Sequence, residues 1–475
     1  MRHSTLAIGL LAGTIGFGAQ AMAQDLPSPA QLPIPQQSTT SDAQETPSLP
    51  ARSSDGIFAP LGKTFSDYGI AFHSLLTNEN ASSLEGGVHR ASDDVGQFNA
   101  GMDFDLSKTL GIPGGSFHFT VYRDYGNSLA LDQTGTFVKQ QDIYKNAFPE
   151  VHLGLVAYEQ KLFHDRLDII VGHLGSTAYF GHIWTGCYYQ SGATCGVPSI
   201  LNSEAGFTLL PSATLGANVK YKTSPHTYID AGAFEVNAFM QHTSGLVFAP
   251  DHATGFTVPV EFGYENSDLK KVDYPAEFKI GYYASDSPRN DPYFNTKHQS
   301  LALLGGTAEV AEPLRQGAWI MGDRTIWRPD TTKLQNVTLS AGYIQPFEKE
   351  EVMDREIFAG LIWRDPLDLR RQDTIAFNMT YFHISPEEVE FLRDERIKLK
   401  GSGVNDPNQF EFELNYGYQF NHSIRVTPNV QYIVNPDNSQ IPKINYVTKN
   451  VLVVGVKLVV NVADLFGLPS QAVSD

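Results

Sequence analysis

Phe410-Glu411-Phe412-Glu413-Leu414-Asn415-Tyr416-Gly417-Tyr418-Gln419-Phe420 alternates without a break. Phe410, Phe412, Leu414, Tyr416, Tyr418 and Phe420 fall on one side, and Glu411, Glu413, Asn415, Gly417 and Gln419 on the other. A period of two is the mark of a β-strand with one apolar and one polar face. The run matches the length of a tilted strand that crosses a bilayer, about 9–11 residues. Aromatic residues flank its apolar face at both ends, as they do at membrane interfaces. A half-exposed strand of a soluble sandwich shares this pattern, so the rest of the chain decides.

Outward from that stretch, alternating runs recur at 69–76, 98–106, 117–125, 151–160, 167–174, 214–221, 228–236 and 256–264. They continue at 277–284, 317–327, 337–344, 357–364, 374–382, 410–420, 424–434 and 451–462. This predicts about 16 strands, and bacterial barrels hold an even number. The connections alternate in length, about 12–39 residues against about 3–12, as expected of long outer loops and short periplasmic turns. A soluble sandwich has no reason to sort its loops by parity. The fold expected is therefore all-β, a transmembrane antiparallel β-barrel with both chain ends in the periplasm.

Energy assigns the faces. Turning Glu411 and Glu413 toward hydrocarbon would cost a few kcal/mol each near the midplane. They are expected to face the lumen near its outer end and meet incoming solute. By the same rule Arg425, Thr427, Asn429, Gln431 and Lys457 face inward, while Val426, Val430 and Tyr432 face lipid. In the run from Asp323 to Arg328 the alternation breaks, which leaves open whether Asp323 or Arg324 faces in and suggests a bulge. Trp363 shares a face with Ile357, Ala359 and Leu361 and reads as an interface anchor, whereas Arg364 on the other face lines the exit.

Composition agrees. Charged residues are 18%, aromatics 11% and the net charge is −18, which argues against nucleic acid as a partner. Mean hydropathy is −0.22, and past the N-terminus no apolar run is long enough for a transmembrane helix. Residues 1–23 read as a signal peptide, with an apolar run from Leu6 to Phe17 and cleavage near Ala23. Residues 24–55, rich in Pro, Gln, Ser and Thr, read as a disordered periplasmic tether. The barrel domain is assigned to 56–466 and a short extension to 467–475. In an exported chain Cys187 and Cys195 are free to pair; two buried thiols are the alternative.

Sugars present hydroxyls and apolar ring faces, so a sugar pore is expected to combine aromatic platforms with polar or charged partners. Trp184, and Arg324 with Trp327, are the candidates. No nucleophile elbow, zinc-protease motif or phosphate loop is present. No enzyme, cofactor or metal site is expected; Asp286 and Asp291 read as a solvated loop rather than a calcium site.

Three stretches carry a family resemblance. They are Tyr158-Glu159-Gln160 with Leu167-Asp168-Ile169-Ile170-Val171-Gly172, then Cys187-Tyr188-Tyr189-Gln190 with Cys195-Gly196-Val197-Pro198, and Pro428-Asn429-Val430-Gln431-Tyr432-Ile433-Val434-Asn435-Pro436. The chain resembles the carbohydrate-selective porins (OprB-type) of Gram-negative outer membranes, over roughly residues 65 to 462. The resemblance implies a 16-stranded outer-membrane barrel for passive diffusion of mono- and disaccharides. It implies that loop 175–213 folds inward as a constriction with Trp184 close by, stiffened by a Cys187–Cys195 disulfide. The partners implied are sugars, outer-membrane lipid and the barrel-assembly machinery, with the chain a monomer or a homotrimer. A general or cation-preferring porin is the alternative, and a structural or adhesive barrel a more distant one. The chain departs from the usual pattern in running past its last strand, so the assembly signal is expected to end internally, at Phe466.

Overall fold

The structure is a computed structural model and describes residues 56–143, 151–193, 195–266, 272–311, 314–366 and 372–468. The expected signal peptide, the tether and the end of the chain from 469 lie outside the described residues. Nine strands come first: β1 (Ile70–Glu85), β2 (Ser92–Asp105), β3 (Gly115–Gly126), β4 (His152–Leu162), β5 (Leu167–Leu174), β6 (Thr214–Lys222), β7 (Thr227–Val236), β8 (Gly255–Asn266) and β9 (Ala276–Ser285). β10 (Asn290–Asn295) and β11 (Ala308–Val310) form a separate hairpin in an outer loop. β12 (Arg315–Trp327), β13 (Asn336–Pro346), β14 (Met353–Arg364), β15 (Thr374–Ile384), β16 (Asn408–Gln419), β17 (Ile424–Val434) and β18 (Val451–Asn461) follow. All but the small hairpin join one closed antiparallel barrel of 16 strands, sealed by β1 against β18.

Alternation sets the two faces. On β16 Glu413 is 2% exposed and points inward, while Leu414 is 54% exposed on the outer wall. Each expected strand coincides with a barrel strand. The first two are longer than their apolar pattern: β1 continues to Glu85 and β2 begins at Ser92. The first outer connection is therefore the short 86–91, a correction to the long loop expected there. The apolar signal fails because Asn78, Asn80 and Ser82 hold outward positions on β1.

Among the described residues no helix is long and apolar enough to cross a membrane. A helix over Pro386–Lys398 covers part of the outer mouth. Its start follows from Ser385, whose hydroxyl accepts the Glu388 N–H at 3.1 Å, with Pro386 in the first turn. Arg396 is buried and donates to the Tyr446 carbonyl at 3.0 Å and to Asn438 at 2.9 Å, tying two outer loops together.

The lumen holds an apolar core. Tyr179, Phe180, Ile183, Ile200, Leu201 and Phe207 of loop 175–213 pack against Phe234, Tyr283, Trp319, Ile344, Phe358 and Phe382 of the wall. Burying such a side chain contributes about 1.5–3 kcal/mol. The loop is thus folded into the barrel as a packed insert, and β12 to β15 carry apolar residues on both faces where they meet it.

Candidate functional site: the eyelet

A loop that crosses the lumen must satisfy its backbone amides. Inward-facing carboxylates accept them. Glu261 accepts the Gly181 N–H at 3.1 Å, Glu277 that of Trp184 at 3.1 Å, and Glu356 that of Ile200 at 2.9 Å. Glu413 accepts the N–H groups of Gln190 at 3.0 Å and Ser191 at 2.7 Å. Cations take the carbonyls: Lys279 donates to His182 at 2.6 Å, Lys457 to Tyr189 at 3.1 Å and Arg315 to Glu204 at 2.8 Å. Charge-assisted bonds of this kind contribute about 1.5–3 kcal/mol each.

A second loop, described over 127–143, also turns inward. Val138 joins the lumenal core, the Ile143 N–H donates to Glu79 at 3.1 Å, and the Gln140 carbonyl accepts from Gln431 at 2.9 Å. Between the two loops lies a cavity of about 120 Å³, lined by Lys139, Asp142, Cys195, Ser199, Asn202 and Gln440 among others. Lys457 stands beside it, 3.2 Å from Glu79 and 3.4 Å from the Cys195 sulfur. Sequence reasoning missed this loop; Lys139 and Asp142 lie in a connection with no strand period, and only their contacts reveal them.

On the periplasmic side of the insert, Trp184 is partly exposed. Its indole N–H donates to Asp323 at 3.0 Å, and the Arg364 guanidinium lies 4.1 Å from its ring centroid. Tyr188 meets Trp184 edge-on at 5.9 Å, and Arg425 lies 5.6 Å from the Tyr188 ring. Asn415 donates to the Tyr188 carbonyl at 3.0 Å. The cluster offers an aromatic face, two guanidinium groups and a carboxylate within one short reach, the set of surfaces a pyranose can use. Arg425 is also held to the wall, donating to the Gln372 carbonyl at 3.2 Å and to Gln419 at 3.1 Å.

The remaining expected residues lie elsewhere. Arg324 is exposed on the outer wall, paired with outward Leu339, and Asp323 is the inward one. Trp327 is 43% exposed past a register shift between Thr325 and Trp327, so the suspected bulge is real and neither Arg324 nor Trp327 lines the pore. Glu411 and Glu413 face inward, but the insert covers them. Glu413 holds the insert, Glu411 accepts from Gln409 at 3.0 Å, and neither meets incoming solute. Trp363 is on the outer face and Arg364 on the inner. The Cys187–Cys195 disulfide is not formed in the structure: the side chains are in contact as thiols, with Cys195 against Lys457. Asp286 accepts the Phe256 N–H and Asp291 those of Tyr293 and Phe294, so both serve loop turns.

Comparison with known proteins fits this geometry. Residues 89–461 match the model of the family described as carbohydrate-selective porin, OprB family. Over 412 residues the chain is 25% identical to Porin B of Pseudomonas aeruginosa, spanning 82% of this chain and 87% of that protein. It is 22% identical over 393 residues to the putative porin QuiX of Acinetobacter baylyi, spanning 78% and 85%. The high-pH structure of Pseudomonas putida OprB superposes with a TM-score of 0.74 at 24% identity, covering 84% of this chain and 95% of that one. The chain belongs to the OprB family of carbohydrate-selective porins and forms an outer-membrane barrel through which carbohydrates pass.

Proposed function

We propose that mono- and disaccharides diffuse passively through the eyelet between loops 127–143 and 175–213, and that Trp184 is the platform they touch. The observation that carries this reading is the Trp184 ring, partly exposed beside Arg364 and fixed by Asp323. The ring offers an apolar face, and the charged neighbours offer hydrogen bonds that water readily replaces. Binding of that kind stays weak enough for the solute to leave. Lys139 and Asp142 above it, and Arg364 and Arg425 below, flank the route.

The cation-preferring alternative has less support. Glu261, Glu277, Glu356 and Glu413 are each engaged by backbone N–H groups, and Glu79 by Lys457. They form no free acidic ring. The reading includes export with cleavage near Ala23, assembly by the outer-membrane machinery, no catalytic role, and oxidation of Cys187 and Cys195 to a disulfide in the periplasm.

Planar-bilayer recording tests the sugar site. Added sugar should block the ion current of the wild type. Trp184→Ala should weaken that block by about tenfold, the effect of about 1.4 kcal/mol, with open-channel conductance nearly intact. Unchanged block in the variant removes Trp184 from the site, and current indifferent to sugar in the wild type favours a general porin.

A further inference from the structure

Ahead of β1 the chain forms a short helix over Ala59–Asp67. Pro60 sits in its first turn, and Gly69, at a φ of 75°, lies just past its end. Ile57, Phe58, Leu61, Phe65 and Tyr68, in the helix and its flanks, recur at helical spacing. At 3.6 residues per turn they fall within an arc of about 100°. Lys63, Thr64, Ser66 and Asp67 occupy the rest of the surface. A stripe of this kind normally faces a core. Here it is bare: Ile57 is 76% exposed, Tyr68 67% and Leu61 47%.

Both ends of the helix are fixed to the periplasmic rim. The Phe58 N–H donates to the Phe466 carbonyl at 2.9 Å, and the Gly69 carbonyl accepts the Asp105 N–H at 2.7 Å. Between these points the Phe65 ring meets Phe72 of β1 edge-on at 4.9 Å. His73 faces the lumen and bonds Thr120 at 2.8 Å, so Phe72 beside it faces out. The same outer face carries a row of rings along the rim. Ile70 pairs with Phe104, Phe104 with Phe117, and Phe117 with Tyr158. Rings at the end of a barrel wall mark the membrane–water boundary. Through Phe65 and Phe72 the apolar stripe of the helix continues the lipid-facing belt of the wall.

We propose that helix Ala59–Asp67 is a membrane-surface element, seated in the inner leaflet of the outer membrane with Ile57, Leu61, Phe65 and Tyr68 toward the acyl chains. A phospholipid surface is the occupant because the stripe adjoins a belt that lipid already covers. Lys63 stands on the opposite face, where its ammonium reaches water and phosphate oxygens while its stem lies along the helix. A helix this short binds a bilayer weakly by itself. The barrel supplies the attachment, and the hydrogen bonds at both ends set the depth. The helix in turn holds the seam between β1 and β18 at a fixed level in the leaflet. The inference uses the membrane position of the barrel and is independent of the sugar site.

Nitroxide labels on single cysteines test this, with Cys187 and Cys195 replaced by alanine and the full chain placed at one barrel per phospholipid disc. Electron paramagnetic resonance compares label collisions with oxygen, which concentrates in lipid, and with a water-soluble nickel chelate. The oxygen-to-nickel ratio at Leu61→Cys should exceed that at Lys63→Cys about tenfold, as immersion of one face alone implies. It should approach the ratio at Val260→Cys, on the lipid-facing wall of β8. Tyr68→Cys, a second exposed position on the stripe, should also favour oxygen, so the result does not hang on one variant. Equal ratios at Leu61→Cys and Lys63→Cys overturn the proposal, because the stripe then lies in water. Protection of Leu61→Cys from both reagents also overturns it, because protein and not lipid then covers the stripe.

Discussion

At the scale of single residues, the glutamates act as fasteners. Glu413 was legible as an inward-facing charge, because the alternation of β16 leaves it no other side. Its task was not legible. It accepts two backbone amides of the insert and the Asn415 amide at 2.8 Å, over a sequence distance that no local pattern spans. Glu413→Ala removes all three acceptances and should loosen this anchor by about 3 kcal/mol. Single-channel conductance should rise and become noisier, and sugar block should fall. Glu413→Gln, whose amide oxygen still accepts, should lie between variant and wild type. A quiet channel of wild-type conductance in the alanine variant would refute the fastening role. The same logic explains Asp323 and Arg324: unbroken alternation from Gly317 to Thr325 turns Asp323 inward and Arg324 outward, and the register shift comes only after Thr325.

At the scale of elements, the outer helix Pro386–Lys398 carries a pH response. Burial pushes the Glu388 carboxyl up from its ordinary 4.5 to about 7. Ser439, Asp437 and Arg289 act on it from the segments packed around it. The folded chain then holds this proton more tightly than the unfolded chain. The stabilising contribution is complete below about 4.5 and is lost as pH rises through about 7. Cleavage by an added protease within 385–407 should accelerate between pH 5 and 8, and Glu388→Gln should flatten that dependence. A slope that persists in the variant would assign the response to another group. This helix escaped the sequence reading because its buried positions include Glu388, Asp394, Glu395 and Arg396, which show no apolar stripe.

At the scale of the whole molecule, the segments that flank β1 and β18 are clasped together. The Phe58 N–H donates to the Phe466 carbonyl at 2.9 Å, and the two rings lie 6.0 Å apart. A Cβ on Gly56 would come within 2.1 Å of the Phe466 backbone. Gly56→Val should therefore force this clasp apart at a cost of about 1–3 kcal/mol. The heat-induced shift of the barrel on a denaturing gel should begin at a lower temperature, and an unaltered onset would show the clasp to be dispensable. The barrel itself was legible because period-two alternation and loop parity both follow from a membrane on one side and water on the other. Its contents were not. The lumenal core joins residues as distant as Phe180 and Phe382, and packing of that kind leaves no periodic trace. The long polar reach of β1 was hidden for a related reason, since its outward face does not look like a lipid-facing one.

The packed insert has a consequence for how this channel gives way. Its links to the wall are side-chain contacts, while the wall is sealed by a continuous backbone ladder. The weaker unit opens first. Heat, denaturant or a damaged fastener therefore releases the filter while the staves still hold, and the porin fails open. Such a failure removes the sieve without removing the hole, and it admits bulky solutes, toxic ones included, that the intact eyelet turns away. Selection on the glutamate fasteners is then selection on the integrity of the cell envelope as much as on the uptake of sugar.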